Sequence, residues 1–131
     1  PSGISLAGES PVVLRCRLKD LKILEEFPVD AMYAGMIEIL PAGDEYYITV
    51  STDLAGSQDQ AAIVRTKDLS ALADGSCDNI YEEYFAGGGT PYYLGKIGDL
   101  YYLTEHRLPD HALWQFSITD GQITDVISIL P

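Results

Sequence analysis

Basic residues are scarce in this chain, where 8 Lys and Arg stand against 20 Asp and Glu and the formal net charge over 131 residues is −12. Nucleic acids and anionic lipid surfaces are bound through basic faces. The charge therefore argues against a role in binding either of them. Hydrophobic residues nevertheless make up 47% of the sequence, which is typical of a folded domain and not of an acidic disordered chain.

Long apolar runs are also missing, and no stretch approaches the roughly 18 residues that a membrane-spanning helix needs. Residues 1–6 do not combine a basic region with an apolar one, so the chain as given carries no secretory signal. A cytoplasmic location is the expectation on that ground.

Cysteine is limited to Cys16 and Cys77. Neither belongs to a Cys-x-x-Cys pair or has a histidine at ligand spacing, so we expect no zinc site and no other cofactor. The alternation of Cys16 with Leu14 and Leu18 predicts a small buried side chain. Cys77 lies in a turn sequence, and a disulfide between the two cysteines stays open at this point.

Segments of the sequence recur in the same order. Arg17–Leu21 (RLKDL) returns 48 residues later as Arg65–Leu69 (RTKDL), with a weaker third copy at 112–118. Asp44–Thr49 (DEYYIT) returns 55 residues later as Asp99–Thr104 (DLYYLT). A period of about 50 residues predicts a protein built from similar units.

Within each unit, short apolar or Tyr-rich runs alternate with turn sequences such as Pro-Ala-Gly-Asp and Asp-Gly. This pattern is typical of consecutive antiparallel strands. Strands are predicted at 35–40, 44–52, 61–66, 79–85, 90–97, 100–105, 112–119 and 123–130. The leucine spacing around each Lys-Asp-Leu also leaves a short helical turn open at those two places.

Four short antiparallel strands in about 50 residues resemble the blade of a β-propeller. The resemblance rests on residues 6–24 with 54–72 and on 44–54 with 99–108. It implies an all-β fold of about three four-stranded blades. The blade-like units lie at about 1–30, 31–86 and 87–131.

A second resemblance concerns the stretches 61–69, 89–94 and 100–103, which look like blades of furanosidase-type glycosidases. In those enzymes such runs belong to the scaffold. The resemblance therefore implies no catalytic residue in this chain.

Three blades do not close a ring, because propellers typically contain 4–8. Each open flank would expose apolar blade surface. We therefore expect a homodimer in which two three-bladed halves complete a six-bladed propeller, since two-fold pairing is the commonest symmetry. A piece of a longer propeller and a monomeric β-sandwich or barrel are the alternatives.

The densest group of side chains with ligand or acid–base chemistry consists of Glu105, His106, Asp110 and His111, around a loop predicted between two strands. A solvated loop is the simplest interpretation, and a divalent-metal or catalytic role is the alternative. No nucleophile motif accompanies the group.

Glu38 interrupts the apolar strand 35–40. We expect Glu38 to face the water of a central channel, while Ile37 and Ile39 pack between blades. Lys96 would line the same channel from the next unit.

The residues predicted to bind a ligand are Glu38, Asp53, Glu105, His106 and His111. The expected function is that of a non-catalytic module that binds a small molecule, a saccharide or a protein at the axis of the ring. A hydrolase of glycosides or lactones, using the three carboxylates at the channel mouth, is the alternative.

Overall fold

The computed structural model describes residues 12–33, 35–50, 61–85, 89–107 and 110–129. They form three antiparallel sheets in which each strand pairs with the next along the chain, so the expected all-β class is confirmed. Sheet 1 contains β1 (Val12–Cys16) and β2 (Ile23–Pro28). Sheet 2 contains β3 (Met36–Ala42), β4 (Glu45–Val50), β5 (Ala62–Thr66) and β6 (Asp78–Asn79). Sheet 3 contains β7 (Thr90–Ile97), β8 (Leu100–Arg107), β9 (Asp110–Thr119) and β10 (Gln122–Ser128).

Helical elements among these residues are short. They are the 3₁₀ turns Ala31–Tyr33 and Leu69–Ala73 and the α-helix α1 (Tyr81–Phe85). In the part of the chain that the structure describes, no helix has the length and apolar character needed to cross a bilayer.

The first hairpins of sheets 2 and 3 share one register at an offset of 55 residues. Glu38 lies opposite Thr49 in the β3–β4 hairpin, and Tyr93 lies opposite Thr104 in the β7–β8 hairpin. A β-bulge precedes each of these pairs, between Met36 and Glu38 and between Pro91 and Tyr93. The recurring sequence therefore lies on two hairpins with the same pairing and the same irregularity.

The tight turns of these two hairpins explain part of the match. Gly43 and Gly98 occupy the turns with φ of +66° and +63°. A side chain is disfavoured at such angles, so glycine fits both turns.

The match continues into the outer strands. Tyr47 lies opposite Arg65 in sheet 2, and Tyr102 lies opposite Gln115 in sheet 3. The chain then leaves each sheet through an equivalent backbone hydrogen bond, in which Ile80 N donates to Ile63 O at 2.9 Å and Ile129 N donates to Leu113 O at 2.8 Å.

Sheet 2 lies between the other two sheets and contributes to two cores. The core shared with sheet 1 comprises Phe27, Val29, Tyr33, Ile48, Val50, Ala62, Val64, Leu69 and Leu72. The core shared with sheet 3 comprises Ala42, Tyr47, Ile63, Ile80, Tyr81, Phe85, Leu94, Tyr101, Leu103, Phe116 and Ile123. Because strand side chains alternate between faces, β4 supplies Ile48 to one core and Tyr47 to the other.

One predicted strand, 79–85, is wrong over most of its length. The structure has only β6 at 78–79, followed by α1. Asn79 Oδ1 accepts a hydrogen bond from Tyr81 N at 3.1 Å, and Glu82 and Glu83 lie in the first turn, where acidic residues stabilise a helix. The apolar spacing of Tyr81 and Phe85 suits one buried helical face as well as a strand.

The two Lys-Asp-Leu sequences differ in structure. Around Asp68 the chain forms the 3₁₀ turn Leu69–Ala73, because the Asp68 side chain accepts a hydrogen bond from Ser70 N at 2.9 Å. Around Asp20 it forms the β1–β2 turn, in which Leu21 N donates to Arg17 O at 2.7 Å. The helical alternative is therefore realised at one of the two places.

The predicted burial of Cys16 is wrong, since Cys16 is exposed, and both cysteines are free thiols. Cys77 is partly buried next to Tyr33, and burial raises the pKa of its thiol. Burial, with Cys77 nearby, raises the pKa of Tyr33 to about 12. Cys16 is exposed because strand alternation turns it away from sheet 2.

Candidate functional site

The two histidines lie on strands and not in a loop. β8 extends to residue 107 and β9 begins at residue 110, so His106 and His111 are directly opposite each other in the sheet 3 ladder. Their ring centroids are 5.0 Å apart with an interplanar angle of 37°. The Tyr92 ring stacks against His106 with centroids 6.5 Å apart. Strand pairing therefore brings together three rings, those of Tyr92, His106 and His111. The two histidine rings are called the imidazole pair below.

Glu38 reaches this neighbourhood through its backbone. Glu38 N donates to Thr49 Oγ1 at 3.1 Å, and Thr49 Oγ1 donates to Tyr92 O at 2.9 Å. The Thr49 hydroxyl thus links the bulge of β3 to the bulge of β7 across the two sheets. Glu38 is half-buried at this junction, and Ile39 packs against the core shared with sheet 1.

Glu105 is the next residue along from His106 but faces the opposite side of sheet 3. Its side chain is 1% exposed in the core shared with sheet 2. Tyr81 Oη donates to Glu105 Oε2, and Trp114 Nε1 donates to Glu105 Oε1 at 2.9 Å. Gly89 N donates in turn to Tyr81 Oη at 3.2 Å, which ties the start of β7 to α1. Glu105 therefore acts as a buried hydrogen-bond acceptor, and its carboxylate does not join the histidines.

The other predicted residues are dispersed. Asp53 lies outside the described residues. Lys96 is exposed on β7 with its ammonium 5.5 Å from the centre of the Tyr101 ring. Within the described ranges, no group of three or more His, Cys, Asp or Glu side chains is arranged as a metal-ligand set.

A second polar group, centred on Arg65, was not singled out by sequence reasoning. Arg65 Nη2 donates to Asp78 Oδ2 at 2.8 Å, and its Nε lies 3.8 Å from Glu45 Oε2. Burial by itself would lower the pKa of Arg65. The contacts with Asp78 and Glu45 help to outweigh burial and raise this pKa above its ordinary value. Burial also raises the pKa of Tyr47, whose hydroxyl has no hydrogen-bond partner of normal geometry among the described residues. The alternation of Tyr47 and Arg65 with apolar neighbours was the available signal.

Two sheet faces, one at each end of the described part of the chain, have no further described sheet packed on them. On the side of sheet 3 away from sheet 2, here named the trailing face, Ile97 and Ile129 are exposed and Tyr102 and Leu113 are half-buried, at positions that are buried on sheet 2. The equivalent pairs, buried member first, are Ala42 and Ile97, Tyr47 and Tyr102, Ile63 and Leu113, and Ile80 and Ile129. Ile80 is 0% exposed and Ile129 is 43% exposed.

The side of sheet 1 away from sheet 2, here named the leading face, consists of Val12, Leu14 and Leu24, which are all exposed. At the offset of 48 residues, Leu14 and the exposed Cys16 correspond to Ala62 and Val64 of β5, which are buried against sheet 1. Both ends of the three-sheet stack therefore present apolar positions whose equivalents on sheet 2 are buried.

Comparisons of this chain with protein families, with curated proteins and with solved structures find no match of any of the three kinds. A functional interpretation therefore depends on the geometry of the chain itself.

Proposed function

We propose that the chain is a non-catalytic binding module of propeller type, and that a second copy completes the ring. The observation that carries the proposal is the repetition of position and register between sheets 2 and 3. The same side-chain positions are buried where a further sheet follows and are exposed or half-buried on the trailing face. An apolar face of this kind is normally covered.

The packing order supports a second copy as the cover. The face of sheet 1 opposite the leading face packs on sheet 2, and the equivalent face of sheet 2 packs on sheet 3. The layers therefore follow one another head to tail. Among the described residues, no sheet packs on the trailing face of sheet 3 or on the leading face of sheet 1. Two copies related by a two-fold axis satisfy both faces at once.

Radial stacking is supported by the first strands. β7 packs against both β3 and β4, so the layers approach each other at their first strands. The Thr49 hydroxyl bonds both bulges at this place. In a closed ring these strands would line the axis, where Glu38 and the exposed Tyr93 supply a carboxylate and an aromatic surface for a small molecule or saccharide.

The hydrolase alternative requires two carboxylates that face each other across a cleft. Glu105 is buried in the core and accepts hydrogen bonds from Tyr81 and Trp114, so it does not lie at the mouth of an open channel. No specific observation favours hydrolysis over binding.

Light scattering on the purified chain tests ring closure. We expect a mass twice the 14.3 kDa of one chain. Because each copy carries a net charge of −12, the dimer should strengthen when salt shortens the Debye length from about 30 Å at 0.01 M to about 8 Å at 0.15 M. A monomer at every salt concentration, or an open series of larger assemblies, would contradict a closed dimer.

Two variants test the head-to-tail arrangement. Leu14→Glu on the leading face and Leu113→Glu on the trailing face should each give monomers, whereas Leu18→Glu in the β1–β2 turn should leave the dimer intact. A mixture of the first two variants should regain association, because one of the two interfaces then joins unaltered faces. Circular dichroism checks that each variant is folded.

Ligand binding at the axis is tested separately by thermal denaturation with a panel of mono- and disaccharides. A ligand that binds only the native state raises the melting temperature, and the rise grows with the logarithm of the ligand concentration above its Kd. The rise should disappear in Glu38→Gln. If no sugar shifts the melting temperature of the dimer, the saccharide part of the proposal is wrong.

A further inference from the structure

We infer that His106 and His111 form a chelating site for a divalent transition metal, with Cu²⁺, Ni²⁺ and Zn²⁺ as the expected ions. The inference rests on the pairing of β8 and β9 within one chain. It does not depend on closure of a ring.

Strand geometry brings the two imidazoles together. Residues that are directly opposite in an antiparallel ladder have Cβ atoms about 4.5–5.5 Å apart and project from the same face. His106 and His111 are opposite each other in this way, although four residues separate them in sequence. That spacing is unsuitable for zinc on a helix, but on a hairpin it places the two side chains side by side.

The separation of the rings agrees with a chelate. A metal–nitrogen bond of about 2.0–2.1 Å puts the metal about 3.2 Å from each imidazole centre. At nitrogen–metal–nitrogen angles of about 90–110°, the two ring centres are then about 4.5–5.2 Å apart. The observed separation of 5.0 Å falls in this range.

The surroundings allow access and restrict ring motion. In the single chain His111 is exposed and His106 is half-buried, so an ion can reach the pair from solvent. The Tyr92 ring stacks on His106 and limits its rotation, which lowers the entropy that ordering the ligand would cost. Because no third ligand group is found among the described residues, water would occupy the remaining coordination positions.

The ligand type determines the selectivity. Neutral imidazole suits Zn²⁺, Cu²⁺ and Ni²⁺, whereas Mg²⁺ and Ca²⁺ prefer oxygen ligands. Affinity should follow the general order for divalent ions, with Cu²⁺ bound more tightly than Ni²⁺ or Zn²⁺. This order distinguishes the imidazole pair from nonspecific binding to acidic residues, which would also take up Mg²⁺.

Isothermal titration of the full chain with CuCl₂, NiCl₂, ZnCl₂ and MgCl₂ at pH about 7.5 tests the site. We expect one Cu²⁺, Ni²⁺ or Zn²⁺ per chain and no Mg²⁺. His111→Gln and His106→Gln should each weaken Ni²⁺ binding by more than about tenfold, since even the loss of an outer-shell partner costs about 10–100-fold. Cys16→Ser is the matched control, and it should bind Ni²⁺ as the unaltered chain does.

A spectroscopic readout follows the ligands directly. The chain has 2 histidines, so both ring signals in a ¹⁵N-edited spectrum belong to the proposed site. Substoichiometric Cu²⁺ should broaden both signals before any other.

Metal binding that persists in both histidine variants, uptake of Mg²⁺ with equal affinity, or unchanged ring signals would each overturn the inference. His111 is exposed, so His111→Gln should remain folded and keeps the test decisive if His106→Gln does not.

Discussion

Sheets 2 and 3 repeat one arrangement of strands but differ in what covers them. Thr49 and Thr104 occupy equivalent positions, and each hydroxyl accepts a hydrogen bond from the backbone N–H of a bulge residue, Glu38 or Tyr93. Thr49 is 0% exposed, because sheet 3 covers it and supplies Tyr92 O as an acceptor. Thr104 is half-exposed on the trailing face. The comparison shows that local sequence produces the hairpin and its register, while burial depends on the neighbouring sheet.

The two sheets also differ at one core position. Val50 in sheet 2 and Glu105 in sheet 3 follow the equivalent threonines and are both buried. The valine packs in an apolar core, whereas the glutamate requires donors and receives them from Tyr81 and Trp114. A polar residue is accommodated at the equivalent position only because α1 and β9 provide partners.

The largest effect is expected when sheet 3 is made to resemble sheet 2 at this position, in Glu105→Val. Each donor that loses its acceptor inside the core costs about 1–3 kcal/mol, so the free energy of unfolding should fall by about 2–6 kcal/mol. Urea denaturation measures the change. Glu105→Gln retains the side-chain oxygen and should lose less; equal losses in the two variants would show that the carboxylate's hydrogen bonds are not the cause.

The next effect separates the covered face from the trailing face. Ile80→Ala removes a buried side chain and should cost about 2–5 kcal/mol, whereas Ile129→Ala at the equivalent exposed position should cost much less in the monomer. Urea denaturation of both variants at low protein concentration checks the difference. Equal costs in dilute monomer would contradict the assigned burial, and a cost for Ile129→Ala that grows with protein concentration would indicate that a second copy covers it.

A smaller effect is expected at the two threonines. Thr49→Val removes both the acceptor for Glu38 N and the donor to Tyr92 O in a dry core, and should cost about 1–3 kcal/mol. Thr104→Val should cost less, because water can replace the lost hydroxyl on an exposed face. Thermal unfolding and amide hydrogen exchange at Glu38 and Tyr93 would measure the difference in stability loss between the two variants. Equal losses would show that the two sites are equally hydrated.

The smallest effect on stability is expected when the aspartate of either Lys-Asp-Leu sequence is replaced. It should depend on pH at both places and on salt mainly at one of them. Hydrogen bonds from Ser70 hold the pKa of Asp68 below its ordinary value, and those from Arg17 and Lys22 do the same for Asp20. A lowered pKa in the folded state means stability that is present above about pH 4 and is lost as the pH falls through the folded-state pKa.

The melting temperatures of Asp68→Ala and Asp20→Ala should therefore lie below that of the unaltered chain at pH 7 and converge with it in acid. Added salt should shrink the effect of Asp20→Ala more, because its partner Arg17 is an exposed charge. A gap that persists at pH 2 would contradict the linkage.

Much of the strand arrangement could be predicted from the sequence. The predicted strand 90–97 agrees with β7, and most other predicted strands in sheets 2 and 3 differ from the observed ones by a few residues at their ends. Alternation of apolar residues with Gly, Pro and Asp turns was sufficient there. It was insufficient at 79–85, where Asn79 and two glutamates start a helix whose buried face has the same apolar residues that a strand would need.

The candidate site was only partly predictable. The sequence singled out both histidines, but it placed them in the loop between the predicted strands 100–105 and 112–119. Their direct opposition depends on how far β8 and β9 extend, which is set by pairing and not by local preference. Glu105 was expected near the histidines because it is adjacent in sequence, yet strand alternation points it to the other face.

By itself the sequence determined where the strands and tight turns form, because those features depend on side-chain alternation and on backbone angles that glycine permits over a few residues. Only the tertiary structure decided which faces are covered, which carboxylate is buried and which rings meet. Those outcomes depend on residues far apart in the chain, and a face with one apolar pattern is buried on sheet 2 and exposed on sheet 3 according to whether another sheet packs on it.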